Sequence, residues 1–359
     1  MTTLLDRPPV VAAVPEKTPR RSITTLFLVA TGVAGYTGFR PPGEWVATLQ
    51  SVSLTDGFHR RFLVGTLLKP FGNDYLVFAI ASFAVLGGLL AAVAFAFFRS
   101  RTEGRRLVIV GWLLIPTGGY LFHEVGYFDQ VLYLLLFGAL WAVRRNRPVL
   151  ASALIALSTT AHEIALLTVL PVFGFVVLRQ FPVRRACAVL APPTVLGMLI
   201  LALPPVAPGA VEKLRRELST TDFTYRADAV NLFERTQSQS WQLYSITDVL
   251  LYLTPIAVVV IGGFLLLHRP SLAAALPVAA IAAPLLLAFG GWDDARWGFL
   301  LVSNFAIVLW LRLDRRELKG SRLVALTAVF LILTHVPMPY FDGYAPRGLT
   351  LVTPVEDLR

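Results

Sequence analysis

The sequence is poor in cysteine, lysine and charge. Cys187 is the single cysteine among 359 residues, so an intramolecular disulfide and a thiolate zinc site are both excluded. Of 32 basic residues only Lys17, Lys69, Lys213 and Lys319 are lysine. Charged residues make up 15% of the chain and hydrophobic residues 56%, where soluble domains carry about 25% and 45–50%. An ordinary soluble enzyme and a disordered chain are therefore both excluded. The formal net charge of +10 would point to nucleic acid in a soluble protein. Here the basic residues sit in short clusters between apolar runs of helix-spanning length, so no nucleic-acid partner is expected. The composition is that of a multi-pass protein of a bacterial plasma membrane.

Apolar segments run at about 23–39, 75–98, 107–122, 130–143, 149–161, 164–178, 186–205, 248–267, 272–290, 298–311 and 323–336. They predict an all-α polytopic membrane protein with about eleven membrane helices, several of them short or broken by proline. Arg99, Arg101, Arg105 and Arg106, then Arg144, Arg145 and Arg147, then Arg179, Arg184 and Arg185 mark cytoplasmic turns by the positive-inside rule. Residues 1–22 are expected to be a cytoplasmic tail, 23–336 the transmembrane domain, and 337–359 an extracytoplasmic tail. Arg20-Arg21-Ser22 is read as part of an uncleaved anchor and not as a twin-arginine signal. With cytoplasmic flanks on both sides, 149–178 has to go out and return. Each leg of roughly 14 residues rises about 21 Å against a hydrocarbon core of about 30 Å, which puts the apex His162-Glu163 below the outer surface. Two outer loops are long, 40–74 and 206–247. In the first, Trp45, Leu49 and Val52 have the spacing of an interfacial amphipathic helix. In the second, Glu212 through Glu217 reads as a solvated helix.

Partitioned by this topology, the cytoplasmic side holds 20 of the basic and 5 of the acidic residues, and the outer side 12 and 17. Any chemistry is expected on the acidic outer side. Four constellations stand out there. Asp56-Gly57-Phe58-His59-Arg60-Arg61 joins a carboxylate to two guanidinium groups in one short loop, a pattern suited to a general base and an anion clamp. His123-Glu124, followed by Gly126-Tyr127-Phe128-Asp129, and His162-Glu163 repeat a pair 39 residues apart at two hairpin apices. Ionisable groups near membrane depth are costly and by default functional. Trp292-Asp293-Asp294-Ala295-Arg296-Trp297 sets two carboxylates beside an arginine suited to phosphate. Neighbouring His and Glu point to different helix faces, so no metal site is assigned, although the carboxylates leave room for a divalent cation.

Three of these patterns together resemble the GT-C superfamily of integral-membrane glycosyltransferases. They are the acidic Asp56 in the first outer loop, the hairpin Ala161-His162-Glu163-Ile164-Ala165-Leu166-Leu167 followed by Pro171, and the late Asp293-x-x-Arg296-Trp297. His162 stands where several members have lysine. The first loop lacks an Asp-x-Asp pair, and no large C-terminal soluble domain follows. The resemblance implies transfer of a sugar from a polyprenyl-phosphate donor to an envelope glycan or lipid acceptor on the outer face, among membrane lipids. Glycosyl transfer passes through an oxocarbenium-like transition state, so such a site needs a proton acceptor and cations for the leaving phosphate. On this reading Asp56, His162, Glu163 and Asp129 form the catalytic set, Asp56 as base. His59, Arg60, Arg61, His123, Glu124, Asp293, Asp294 and Arg296 bind substrate. A polysaccharide polymerase or ligase using Arg215, Arg216, Arg226 and Arg235 is the closest rival. A proton-coupled transporter or flippase, with His-Glu relay groups, is the next. A membrane O-acyltransferase and a non-catalytic assembly partner are the remaining readings.

Overall fold

The structure is a computed structural model, and it describes residues 21–123, 125–242, 245–268, 272–291, 293–313, 318 and 320–336. Residues 1–20 and the expected C-terminal tail 337–359 lie outside these residues, as does Glu124, while Arg21 and Ser22 of the expected N-terminal tail already belong to the first helix. The described residues are helical with no sheet; one isolated bridge joins Phe58 and Val206. In chain order the helices are α1 (Arg21–Gly38), α2 (Glu44–Gln50), α3 (Leu63–Leu68), α4 (Tyr75–Phe98), α5 (Glu103–Leu114), α6 (Pro116–Phe122), α7 (Phe128–Arg144), α8 (Pro148–Ala161), α9 (Val169–Gln180), α10 (Val183–Ala202) and α11 (Ala210–Leu218). There follow the short α12 (Ala227–Asn231), α13 (Gln237–Trp241) and α14 (Ile246–Asp248), then α15 (Thr254–Leu267), α16 (Leu272–Ala282), α17 (Asp294–Arg312) and α18 (Ser321–Leu333).

The expected eleven membrane helices are corrected to five. Among the described residues, Tyr75–Phe98, Glu163–Gln180, Val183–Ala202, Ile246–Leu267 and Asp294–Arg312 are long and apolar enough to cross a membrane. The chain is a polytopic, membrane-spanning helical protein with a smaller set of spans than its apolar runs suggested. The reason is where the runs break. Run 107–122 is cut at Ile115, which is extended (φ −85°, ψ 168°) because the ring of Pro116 excludes it from the helical region. Thr117 Oγ1 donates to the Trp112 carbonyl at 2.9 Å, occupying an acceptor at this break. Run 149–161 yields the 14-residue α8, run 323–336 the 13-residue α18, and run 272–290 changes from α-helix to a 3-10 turn at Ala283–Phe289 around Pro284. By contrast α10 keeps its length through Pro192 and Pro193.

α17 is the central element, with 72% of its apolar window buried against 28% for α4. Asn304 ties it in place: its Nδ2 donates to the carbonyls of Thr168 and Ala280, both at 3.0 Å. A polar side chain deep in an apolar helix thus locks the Glu163–Gln180 span, α16 and α17 in one register. α1 crosses α6 at a glycine contact, where a Cβ on Gly38 would lie 1.8 Å from the Gly119 carbonyl oxygen. Close approach of small residues supplies the packing that substitutes for hydrophobic force in lipid. Gly38→Ala is expected to destabilise the protein by about 1–3 kcal/mol, read as a lower unfolding midpoint in detergent.

At one end of the bundle the two long loops pack on each other and form a cap. Its core contains Leu49, Val52, Phe58, Val211, Leu214 and Phe233, with Phe58 and Phe233 edge to face at 5.0 Å. The expected interfacial helix is therefore corrected. Leu49 and Val52 of the α2 region are 2% and 1% exposed, facing protein and not lipid. α11 buries Val211, Leu214 and Leu218 in the cap and shows only its charged face to solvent.

Candidate functional site

Asp56 sits in a 3-10 turn whose Thr55 N–H is capped by the Ser53 hydroxyl, ahead of Gly57 in the left-handed region at φ 90°. A Cβ at Gly57 would press on Ala207 and Ala210, so the turn can lie against α11 only as glycine. The carboxylate, its side chain 1% exposed, binds Lys213 Nζ at 2.6 Å and also Lys69 Nζ, and Glu217 lies 3.8 Å from each lysine. Burial alone would raise the Asp56 pKa, but hydrogen bonds and charge from Lys213 and Lys69 outweigh it and hold it below its ordinary 3.8. A carboxylate so held is a poor proton acceptor and a good clasp, since it ties the first long loop to the second. The two lysines were not legible as partners, being 13 and 157 residues from Asp56 in sequence.

The neighbouring loop residues complete the clasp. His59 donates its backbone N–H to the Pro205 carbonyl at 2.9 Å and sets Nδ1 2.9 Å from the Pro204 carbonyl, while Arg60 Nη2 donates to Leu201 O at 3.1 Å. Both side chains are engaged with the end of α10 and stand apart from the other candidate groups. Because the Asp56 pKa is depressed on folding, its contribution to cap stability is present above about pH 4 and is lost as pH falls through the folded value. Cleavage of the 206–242 segment by an acid-active protease is expected to rise steeply below that pH. Lys213→Met is expected to show the same cleavage at neutral pH, measured by limited proteolysis.

Arg61 turns the other way. Its backbone is in the left-handed region at φ 58°, an uncommon conformation for a non-glycine residue and one found at sites where geometry is imposed. Nη2 donates to Glu163 Oε1 at 2.8 Å and Nε to the same oxygen at 3.2 Å. Glu163 opens the 3-10 turn after α8, and its Oε2 lies 3.2 Å from His162 Nδ1, which accepts a hydrogen bond from the Ile164 N–H at 3.3 Å. His162 is 1% exposed, and its Nε2 has no hydrogen-bond partner among the described residues. Arg61 and Glu163 keep 20% and 15% of their side chains accessible.

A second ion pair is fully enclosed. Arg296, in the first turn of α17, donates Nε to Asp129 Oδ2 at 2.9 Å and Nη2 to Oδ1 at 2.7 Å, a bidentate fork with both side chains 4% exposed. Nη1 reaches the Tyr127 hydroxyl at 3.3 Å and Asp293 Oδ2 at 3.9 Å, and the guanidinium lies 4.7 Å from the Tyr127 ring centre. Asp129 lies in the first turn of α7, and the turn before it is fixed by two buried glutamines. Gln50 Nε2 donates to Gly126 O at 2.8 Å, and Gln130 Oε1 accepts from Gly126 N at 2.8 Å. Phe128 presents its ring to His162 at 5.8 Å, so the two ion pairs share one wall, and His162 is within electrostatic reach of both Arg61 and Arg296. Arg61, Glu163, His162, Arg296, Asp129 and Asp293 thus form one cluster beneath the cap.

The other candidates are peripheral. His123 is buried beside Tyr120 and borders, with Tyr127 and Asp129, a cavity of about 10 Å³. Asp294 is half-buried in the first turn of α17, with Asp248 as its charged neighbour. Among the described residues no group of three or more His, Cys, Asp or Glu forms a metal site. The chain matches no protein-family model, no curated protein and no solved structure. The family resemblance therefore rests on the local residue patterns alone.

Proposed function

We propose that this protein is a membrane glycosyltransferase that moves a sugar from a polyprenyl-phosphate donor to a hydroxyl of an envelope glycan or lipid acceptor, on the extracytoplasmic face of a bacterial plasma membrane. The observation that carries the reading is the pairing of two guanidinium groups with carboxylates around one buried histidine. Arg61 uses Nε and Nη2 on Glu163, leaving Nη1 to donate to a donor phosphate oxygen. Arg296, held rigidly by Asp129, supplies fixed positive charge behind it. In the tautomer that carries its proton on Nδ1 toward Glu163, and so gives up the bond Nδ1 accepts from the Ile164 N–H, His162 offers the Nε2 lone pair to the acceptor hydroxyl. The acceptor oxygen bonds to the anomeric carbon, the bond from that carbon to the phosphate oxygen breaks, and the hydroxyl proton moves to Nε2. The base role is thus given to His162, and Asp56 holds the cap over the site. The N-terminus is assigned to the cytoplasm by the arginine clusters.

The polymerase reading depends on loop arginines that can reach substrate. Arg215 is paired with Glu212 at 2.8 Å and Glu234 at 2.9 Å, and Arg226 with Asp228 at 2.7 Å, which favours a structural use of these groups. The deciding experiment is deletion of the gene, followed by comparison of envelope glycans and lipid-linked sugars. A truncated glycan with an accumulating polyprenyl-phosphate sugar is the expected outcome. Unchanged glycans with an unchanged lipid-linked pool would refute the proposal.

A further inference from the structure

The cap carries an open cavity of about 410 Å³ whose described lining residues are Asn231, Glu234, Arg235, Gln239 and Gln242. They come from one stretch of the second long loop, from the end of α12 to the residue after α13. The volume falls in the range of small-ligand sites, roughly 300–1,000 Å³, but those sites are mostly apolar with a few polar groups. Here every described lining residue is polar or charged. An apolar ligand or a lipid tail gains nothing from such walls, because it would strip water from polar groups without replacing their hydrogen bonds. A ligand that presents hydroxyls on all sides replaces them.

The amides narrow the class further. Asn231 Oδ1 accepts from Arg215 Nη2 at 2.7 Å, and Gln239 Oε1 accepts from the Thr236 N–H at 2.9 Å in the capping box that starts α13. Each amide is thus pinned through its oxygen, and its NH2 group is the end left to donate. Arg215 also donates to Glu234 at 2.9 Å and to Glu212 at 2.8 Å, so one guanidinium ties α11 to two of the lining side chains. Side chains fixed before a ligand arrives spare it part of the ordering cost. Glu234 and Arg235 carry opposite charges and the other three lining residues are neutral, so the cavity has no net charge to select an ion. Fixed NH2 donors, an acceptor carboxylate and overall neutrality fit a neutral saccharide.

The cavity is also joined to the candidate site. Phe233, next to Glu234, buries its ring in the cap core edge to face with Phe58, and the Arg61 guanidinium lies 5.9 Å from that ring's centre. The strip of chain that lines the cavity therefore also packs on the arginine assigned to the donor phosphate.

We propose that this cavity binds neutral sugar units of an acceptor glycan, away from the hydroxyl that reacts. The ligand's role rests on the glycosyltransferase reading, and its chemical class on the lining. The test is native mass spectrometry of the purified full chain in detergent, with short neutral oligosaccharides released from the host's own envelope glycans as the probe. The wild type is expected to retain them. The double variant Asn231→Asp/Gln239→Glu keeps both pinned oxygens, and with them the bonds from Arg215 and Thr236, but removes both NH2 groups. It is expected to fold as the wild type does and to retain about tenfold less. Arg216→Gln shifts the cap's charge in the same direction at an exposed residue outside the lining, and is expected to match the wild type. His162→Gln is expected to retain the oligosaccharides in full, which separates acceptor binding from the transfer step. Unchanged envelope glycans on gene deletion, with retention intact in the wild type and reduced in the double variant, would refute the transferase reading and support the saccharide site. A wild type that retains no oligosaccharide, or a double variant that retains as much as the wild type, would overturn the inference.

Discussion

Asp129→Asn is expected to lower stability by about 3–5 kcal/mol, the cost of leaving one partner of a buried ion pair without its counter-charge. Arg296 is 3% exposed and, among the described residues, donates its two shortest hydrogen bonds to the Asp129 carboxylate. Asparagine keeps the shape but loses the charge, and Asp293 at 3.9 Å is too distant to take over the fork. The double variant Asp129→Leu/Arg296→Met removes both charges, so most of the lost stability is expected to return. Unfolding midpoints of the two single variants and the double variant in detergent give the coupling directly. Strict additivity of the single effects would show that the two residues do not act as a pair. On the proposed function the double variant stays inactive despite its recovered stability, because the fixed charge behind the phosphate is gone.

This pair also shows what the sequence could and could not reveal. Asp129 was legible as a candidate because it sits at a hairpin apex near membrane depth, where an ionisable side chain is expensive, and Arg296 because two aspartates stand beside it. Their pairing was not, since 167 residues separate them and a single sequence holds no contact information. His162-Glu163 was legible for the same reason. Asp56 was found for its company of arginines, yet its partners are Lys69 and Lys213, two of only four lysines, which is why the proposed function uses it to hold the cap and gives the base role to His162. The helical class followed from composition. The number of spans did not, because counting apolar runs ignores where proline and short helices end a run, as at Pro116 and in α8 and α18. The cap was hidden for another reason. Trp45, Leu49 and Val52 have one periodicity whether they face lipid or protein, and only the apposed Val211, Leu214 and Phe233 decide between the two.

Glu163→Gln is expected to reduce transfer by about 10²–10⁴-fold, the range associated with loss of a positioned acid-base group, while the protein still folds. The fold is expected to survive because the Glu163 side chain keeps 15% of its surface accessible and its main partner, Arg61, keeps 20%, so water can replace the lost charge. The activity is expected to fall because Glu163 does two things at once. It fixes the Arg61 guanidinium through two donors, and it faces His162 Nδ1 at 3.2 Å. Glutamine can still accept one hydrogen bond from Arg61 but does not hold a proton on Nδ1 as a carboxylate does. His162→Gln separates the two roles. If the histidine takes the proton, His162→Gln is as inactive as Glu163→Gln, and the double variant is no worse than either, as expected for residues acting as a unit. If Glu163 serves only to place Arg61, His162→Gln retains most activity and the base must be sought elsewhere in the cluster. Assays of transfer in membrane vesicles, with protein levels matched, distinguish the two results.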